Sequence, residues 1–231
     1  MLKTFKNEDP NVIEIGTDEV GRGPLFGRVY TASVILPKDI ESFDHSKMKD
    51  SKKFHSKKKI EEVADYIKEN AIAWSVQYES ENVIDDINIL QATQKSMHKS
   101  ILETRNIYMN LLLKEGKKEK EDYHFELLVD GNYFNPVTFL NESKTKLECL
   151  PHTCIKGGDN VYSSIAAASI LAKVGRDKYI DELCENHPEL KEHYGIHSNK
   201  GYGAKVHLDG IKQYGITPWH RKTFGICKKF T

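Results

Sequence analysis

Apolar and polar residues alternate from Val12 to Thr17, and Val29–Leu36 is a nearly unbroken β-branched and apolar run. Both patterns predict strands. The turn between them carries Gly21, Gly23, Pro24 and Gly27, so the second strand is expected to pair back onto the first. Lys38–His55 reads as loop. Ser56 is placed to cap a helix through Asn70, with Ile60, Val63, Ala64 and Ile67 recurring on one face. Ala71–Tyr78 reads as a strand. Ile87–Lys114 reads as a long helix, with Leu90, Met97, Ile101 and Tyr108 along one side. Lys114–Asp122 is a charged, exposed loop by its composition. Phe125–Val129 reads as a strand running into Asp130 and Gly131, and Leu147–Leu150 as a further short strand. After Gly157 and Gly158 a helix rich in small residues is expected from about Asp159 to Asn186, followed from Lys200 by a basic helix-and-loop tail. This alternation predicts an α/β fold, a mixed sheet flanked by helices with a small C-terminal helical appendage. The expected division is a core over residues 1–196 and a basic segment over 197–231 packed on it, with no linker between them.

With 231 residues and 39% apolar content, the chain can bury a core without staples. The apolar stretch Ile165–Ala172, interrupted by Ser169, is too short to span a bilayer, and the N-terminal residues have no apolar signal segment. Cys149, Cys154, Cys184 and Cys227 contain no C-x-x-C pair and read as reduced thiols, which points to a cytoplasmic protein. Lys+Arg and Asp+Glu both number 34, but the balance is local. Lys47–Lys59 holds seven lysines against Asp50, a net of +6. From His197 onward seven basic residues face Asp209 alone, again +6, which leaves −12 on the remainder. Clustered cations of this kind suit a polyanion, and the segment Lys200-Gly-Tyr-Gly adds an exposed aromatic to one of them.

The acids supply the candidate chemistry. Asp18 and Glu19 follow the first strand, Asp130 ends another, and Asp159 follows two glycines. Strand ends are where open α/β sheets place their sites. Carboxylates gathered at one edge repel unless cations lie between them, and an all-oxygen donor set selects Mg²⁺ or Mn²⁺ over zinc. Adjacent residues on a regular strand face opposite sides. Asp18 and Glu19 are therefore expected to serve one site only if the strand breaks there, as Gly21 and Gly23 would allow, or if one of them acts through water.

The run DEVGRGPL from Asp18 resembles ribonuclease HII. Further matches follow in order: DSKK at Asp50, INILQAT at Ile87, DGN at Asp130, Gly158-Asp159 followed by SIAAASILAKVGRD, KGYG at Lys200 and HRKTFG at His220. They cover the chain from about residue 13 to 225. The resemblance implies a ribonuclease H-like fold. It also implies two-metal hydrolysis of RNA in RNA–DNA hybrids and at ribonucleotides embedded in duplex DNA, leaving 3′-hydroxyl and 5′-phosphate ends. By the same resemblance, Asp18, Glu19, Asp130 and Asp159 would be the catalytic metal ligands. Gly21, Arg22 and Gly23 would read the ribose 2′-hydroxyl and adjacent phosphate, Tyr202 would pack on the sugar at the RNA–DNA junction, and Ser51 and Lys52 would sit near substrate phosphates. Asp177 competes for the fourth position, but it would lie about 27 Å along the same predicted helix from Asp159 and is expected to form a salt bridge instead. Phe26, Arg28 and Asn160-Val161-Tyr162 depart from the pattern common in bacterial members. The expected partners are RNA–DNA hybrid and ribonucleotide-containing duplex DNA, with no membrane, and the expected state is a monomer. His197, His207 and His220 are given no catalytic role. The rivals are a junction resolvase on the same fold and a non-catalytic hybrid-binding protein.

Overall fold

The structure is a computed structural model and describes residues 2–114, 123–140 and 145–230. Apart from Lys114, the charged loop expected at Lys114–Asp122 lies outside the described residues. Strand β1 (Val12–Val20) pairs antiparallel with β2 (Val29–Ile35), and β2 with β3 (Ala73–Glu79). On its other side β1 pairs parallel with β4 (His124–Asp130). Two short strands, β5 (Thr138–Leu140) and β6 (Leu147–Cys149), form a separate ribbon, and β7 (His152–Ile155) adds to β4 in parallel. Among the described residues the main sheet therefore runs β3-β2-β1-β4-β7, the expected mixed sheet.

Helix α1 (Lys57–Asn70) begins where expected, and the Ser56 hydroxyl accepts from the Lys59 N–H at 3.5 Å. Helix α2 (Glu81–Lys114) starts six residues before the expected Ile87 and is broken at Asn88, whose φ of 67° is not helical. The Asn88 side chain caps the second part by accepting from the N–H groups of Leu90 and Gln91. Helix α3 (Ser163–Asn186) starts later than the sequence suggests, because Asp159 sits in a separate 3-10 turn, Gly158–Asn160. Short helices α4 (Glu189–Glu192) and α5 (Ile196–Asn199) lead to α6 (Lys205–Tyr214). No helix among the described residues is long and apolar enough to cross a membrane.

The sheet is covered on both faces. Helix α2 packs Met97 and Ile101 against Ile13, Ile15, Leu127 and Val129. On the other face α1 and α3 bring Ile60, Ile67 and Ala166–Ala168 onto Ala32 and Val34. The alanines let α3 lie close to the sheet, and Gly16 marks the closest approach: a Cβ there would fall 2.3 Å from the Ser164 carbonyl carbon. A third cluster joins Phe26 and Tyr30 to Ile180, Tyr194, Ile211 and Cys227, which seats the C-terminal segment against β2 and α3.

Candidate active site

Period-two alternation carries through to the end of β1. The even positions Gly16 and Asp18 face α3, where Gly16 abuts Ser164 and the Ser169 hydroxyl lies near enough to Asp18 to lower its carboxyl. The odd positions face α2; Thr31, opposite Glu19, hydrogen-bonds Ser96 at 2.7 Å. The strand break expected at Asp18-Glu19 does not occur, since both residues remain paired with β2. What opens instead is the other side: the β1–β4 ladder ends at Thr17 and Val129. Beyond that point the two carboxylates converge from opposite faces on Asp130, the last residue of β4. One oxygen from each of Asp18, Glu19 and Asp130 lies within 4.8 Å of the others.

Asp159 is not in that group. It lies beside Asp130, whose Oδ1 accepts from the Gly158 N–H at 2.6 Å, and its own Oδ1 accepts from Asn160 Nδ2 at 3.0 Å. Asp177 takes no part and pairs with Lys173 at 2.8 Å.

The cluster is electrostatically unbalanced. Burial, then the charges of Glu19 and Asp130, hold the Asp18 carboxyl well above the usual carboxylate range. Burial also raises Glu19, against the pull of the Arg22 guanidinium at 3.3 Å. Asp159 is raised by burial and by the charges of Asp50 and Asp130. Three all-oxygen donors gathered with too little compensating charge suit a hard divalent cation. A cavity of about 210 Å³ opens beside them, lined by Glu19, Arg22, Asp130, Thr93 and Tyr133.

Three further elements face this edge. The Asp50 turn packs on the Asp159 turn, with Lys53 Nζ donating to Asn160 Oδ1. Lys52 is exposed and close enough to lower the Asp159 carboxyl. Ser51, placed by the resemblance near phosphates, is 2% exposed, and its Oγ lies 3.0 Å from Ser169 Oγ. It therefore stands behind Ser169, which in turn lies beside Asp18. The Gly21–Gly23 loop lies next to Tyr202, whose ring is 3.5 Å from where a Gly23 Cβ would stand and is 49% exposed.

The family model for ribonuclease HII matches residues 15–227. The chain belongs to the ribonuclease HII family. The ribonuclease HII of Parabacteroides distasonis is 42% identical over 212 residues, covering 92% of this chain and 89% of that one. The ribonuclease HII of Bacteroides thetaiotaomicron is 39% identical over 226 residues, covering 98% and 95%. The crystal structure of ribonuclease H2 from Pyrococcus horikoshii superposes with a TM-score of 0.65 at 22% identity, covering 94% and 96%, and shares the fold. As a ribonuclease HII family member, the chain is a metal-dependent hydrolase of phosphodiester bonds acting on nucleic acid.

Several residues that shape this ribonuclease HII site are not legible in sequence as site residues. Arg176 and Arg221 are 1% and 0% exposed, and among the described residues neither makes an ion pair. Both hydrogen-bond backbone carbonyls around the Gly21–Gly23 loop. His207 and His220 are also buried, away from the acids. The Thr217 N–H donates to His220 Nδ1 at 2.9 Å, so His220 carries its proton on Nε2 and donates to His207 Nε2 at 3.0 Å. His207 in turn donates from Nδ1 to the Tyr202 carbonyl at 2.8 Å. The network assigns both tautomers and requires both rings to be neutral.

That requirement has a pH signature. Burial, reinforced by His207, pushes His220 down to about 3, and burial also lowers His207. Below about pH 6.5 the unfolded chain binds protons on these rings that the folded chain does not. Stability therefore falls as the pH drops from about 6.5 toward 3, by up to about 1.4 kcal/mol per pH unit for His220. Urea melts between about pH 4 and 7 are expected to show a flatter slope in His220→Gln than in wild type. Equal slopes would remove His220 from this account.

Proposed function

We propose that this ribonuclease HII family member cleaves the RNA strand of RNA–DNA hybrids and cuts beside single ribonucleotides in duplex DNA, leaving 3′-hydroxyl and 5′-phosphate ends. The observation that carries this reading is the convergence of Asp18, Glu19 and Asp130 within 4.8 Å, at the sheet edge that also bears the Gly21–Gly23 loop. Asp18, Glu19 and Asp130 would hold Mg²⁺ or Mn²⁺, with Asp159 completing the set from beside Asp130. When bound, two such ions supply Lewis-acid activation of the scissile phosphate and of the attacking water.

The chain's own residues supply position and selection. Ser169, held by Ser51, lies beside Asp18 and offsets part of the burial that raises its carboxyl. Arg22 neutralises Glu19 in the free protein and is half exposed, so it is free to exchange this partner for a substrate phosphate. The backbone of Gly21–Gly23 reads the ribose 2′-hydroxyl, the group that distinguishes RNA from DNA without regard to base. Tyr202 offers an aromatic face to the adjacent sugar. Lys52, exposed beside Asp159, meets backbone phosphate. No side chain is required as a covalent nucleophile.

The test is cleavage of a DNA duplex containing one ribonucleotide, beside the same duplex in all-DNA form and an all-DNA four-way junction, each with Mn²⁺ or chelator. A single metal-dependent cut beside the ribonucleotide is expected, with the all-DNA substrates intact. Arg22→Ala should raise KM about tenfold, as for a lost charge-assisted contact. Cutting of the junction would instead support a resolvase, and binding of the ribonucleotide-containing duplex without any cutting a non-catalytic protein.

A further inference from the structure

Two adjacent residues of the C-terminal segment, His220 and Arg221, reach the two elements assigned to sugar recognition, and neither touches the acids. Arg221 Nη2 donates to the Gly21 carbonyl at 2.6 Å, Nη1 to Arg22 at 3.0 Å and Pro24 at 2.8 Å, and Nε to Gly27 at 2.8 Å. One planar guanidinium thus holds four carbonyls of a single loop. In a trans peptide the C=O and the following N–H point in opposite directions. Holding the Gly21 and Arg22 oxygens toward a buried Arg221 therefore turns the N–H groups of Arg22 and Gly23 outward. Among the described residues, neither of these N–H groups donates a backbone hydrogen bond. They form a pair of oriented donors on the exposed side of the loop.

His220 acts on the other element. Through His207 it fixes the carbonyl of Tyr202. The two elements are also strapped together: the Leu25 N–H donates to the Gly201 carbonyl at 2.9 Å, and Arg176 Nη2 bridges the carbonyls of Phe26 and Lys200. The segment carrying His220 and Arg221 is pinned in turn, because Asp85 accepts from the N–H groups of Lys222 and Thr223 at 2.8 and 2.9 Å. We propose that His220 and Arg221 are positioning residues that set the spacing and orientation of the Gly21–Gly23 donors relative to Tyr202, and through that spacing determine how strictly the enzyme demands a ribose 2′-hydroxyl on the correct face of the sugar. This inference rests on the reading given under Proposed function.

A carboxylate in place of these carbonyls would neutralise Arg221 but could not orient consecutive peptide groups. Arginine is required for the planar fork, because a lysine ammonium has three donors on a flexible stem and cannot match four fixed acceptors. Gln is the conservative replacement at His220, since its amide nitrogen falls near the position of Nε2. Phe keeps the ring packed edge-on to Phe26 and removes the donor.

The experiment compares duplexes carrying one ribonucleotide or one arabinonucleotide, whose 2′-hydroxyl lies on the opposite face of the sugar. Wild type, Arg221→Lys, His220→Gln and His220→Phe are measured for kcat, KM, melting temperature and Mn²⁺ affinity. Arg221→Lys and His220→Phe are expected to raise KM for the ribonucleotide about tenfold and to lower the ribose-over-arabinose preference by a similar factor, the scale of one lost hydrogen bond. Mn²⁺ affinity should stay unchanged and kcat should move far less than KM. His220→Gln should restore wild-type values. The inference is overturned if Arg221→Lys and His220→Phe keep the wild-type preference, or if they lose kcat and Mn²⁺ affinity together with it. If Arg221→Lys fails to fold, the His220 pair decides by the same criteria. A wild-type enzyme that cuts neither duplex would overturn the functional reading instead, an outcome distinct from altered preference in the variants.

Discussion

Asp130→Asn is expected to reduce cleavage by at least about 10²-fold, the scale of losing one preorganised electrostatic group at a reacting phosphate, while making the metal-free protein more heat-stable. The two effects have one cause. Asp130 sits at the convergence point, and its charge raises the carboxyls of Asp18, Glu19 and Asp159. Asparagine keeps the carbonyl oxygen that accepts the Gly158 N–H, so the turn bearing Asp159 stays in place. The substitution thus removes repulsion and a ligand without dismantling the edge. Melting curves in chelator should place the variant above wild type. Added Mn²⁺ should raise wild type by ligand linkage and leave the variant nearly unmoved. A variant that is both inactive and less stable in chelator would mean that Asp130 supports the fold rather than the chemistry.

Gly16→Ala should have the largest effect on stability of any single methyl addition in the sheet. The new Cβ would stand 2.3 Å from the Ser164 carbonyl carbon and 2.6 Å from the Ile165 nitrogen. Both are backbone atoms of the first turn of α3, so no side-chain rotation relieves the clash and the helix must move. Overpacking of this kind costs about 3 kcal/mol at the upper end of its usual range, or roughly 6–12 °C in melting temperature for a chain of this size. Activity should fall as well, because Asp18 is two residues along the same face and lies against Ser169 on that helix. Thermal melts and Mn²⁺-supported turnover check both halves. A Tm within 2 °C of wild type would show that α3 can yield at this contact more cheaply than overpacking allows.

The frame of the fold is written in the chain's periodicity. Val12–Thr17 and Val29–Leu36 announce a hairpin, and the spacing of Ile60, Ala64 and Ile67 gives α1 to within a residue. The short strands β5 and β7 leave no trace in the periodicity, because three or four residues are too few to establish a period, and His152–Ile155 is only half buried. Helix α2 starts before its periodic stretch because Asn88 interrupts the helical phase between Glu81 and Leu90.

For the site, the strand-end acids stand out by their position, whereas the role of the glycine loop comes from the resemblance to ribonuclease HII. The manner of their meeting could not be read. Strand alternation argued against Asp18 and Glu19 acting together, yet the early end of the β1–β4 ladder lets both side chains reach Asp130 without any break in the strand. Arg176 and Arg221 are hidden for a different reason: a charged residue in a sequence reads as surface, and only the three-dimensional supply of carbonyls makes its burial tolerable. Burial nevertheless pushes Arg221 down to about 9. The basic stretches carry less free charge than their count suggests, since Lys57 and Lys200 both pair with Asp181.

Calorimetric titration with Mn²⁺ is the most direct measurement of whether Asp18, Glu19 and Asp130 act as one ion-binding unit. It needs wild type, Asp130→Asn and Asp177→Asn, the last removing an acid that pairs only with Lys173 among the described residues. Wild type and Asp177→Asn should give the same binding isotherm, and Asp130→Asn should lose it. An unchanged isotherm in Asp130→Asn, or no Mn²⁺ binding by wild type, would contradict the assignment.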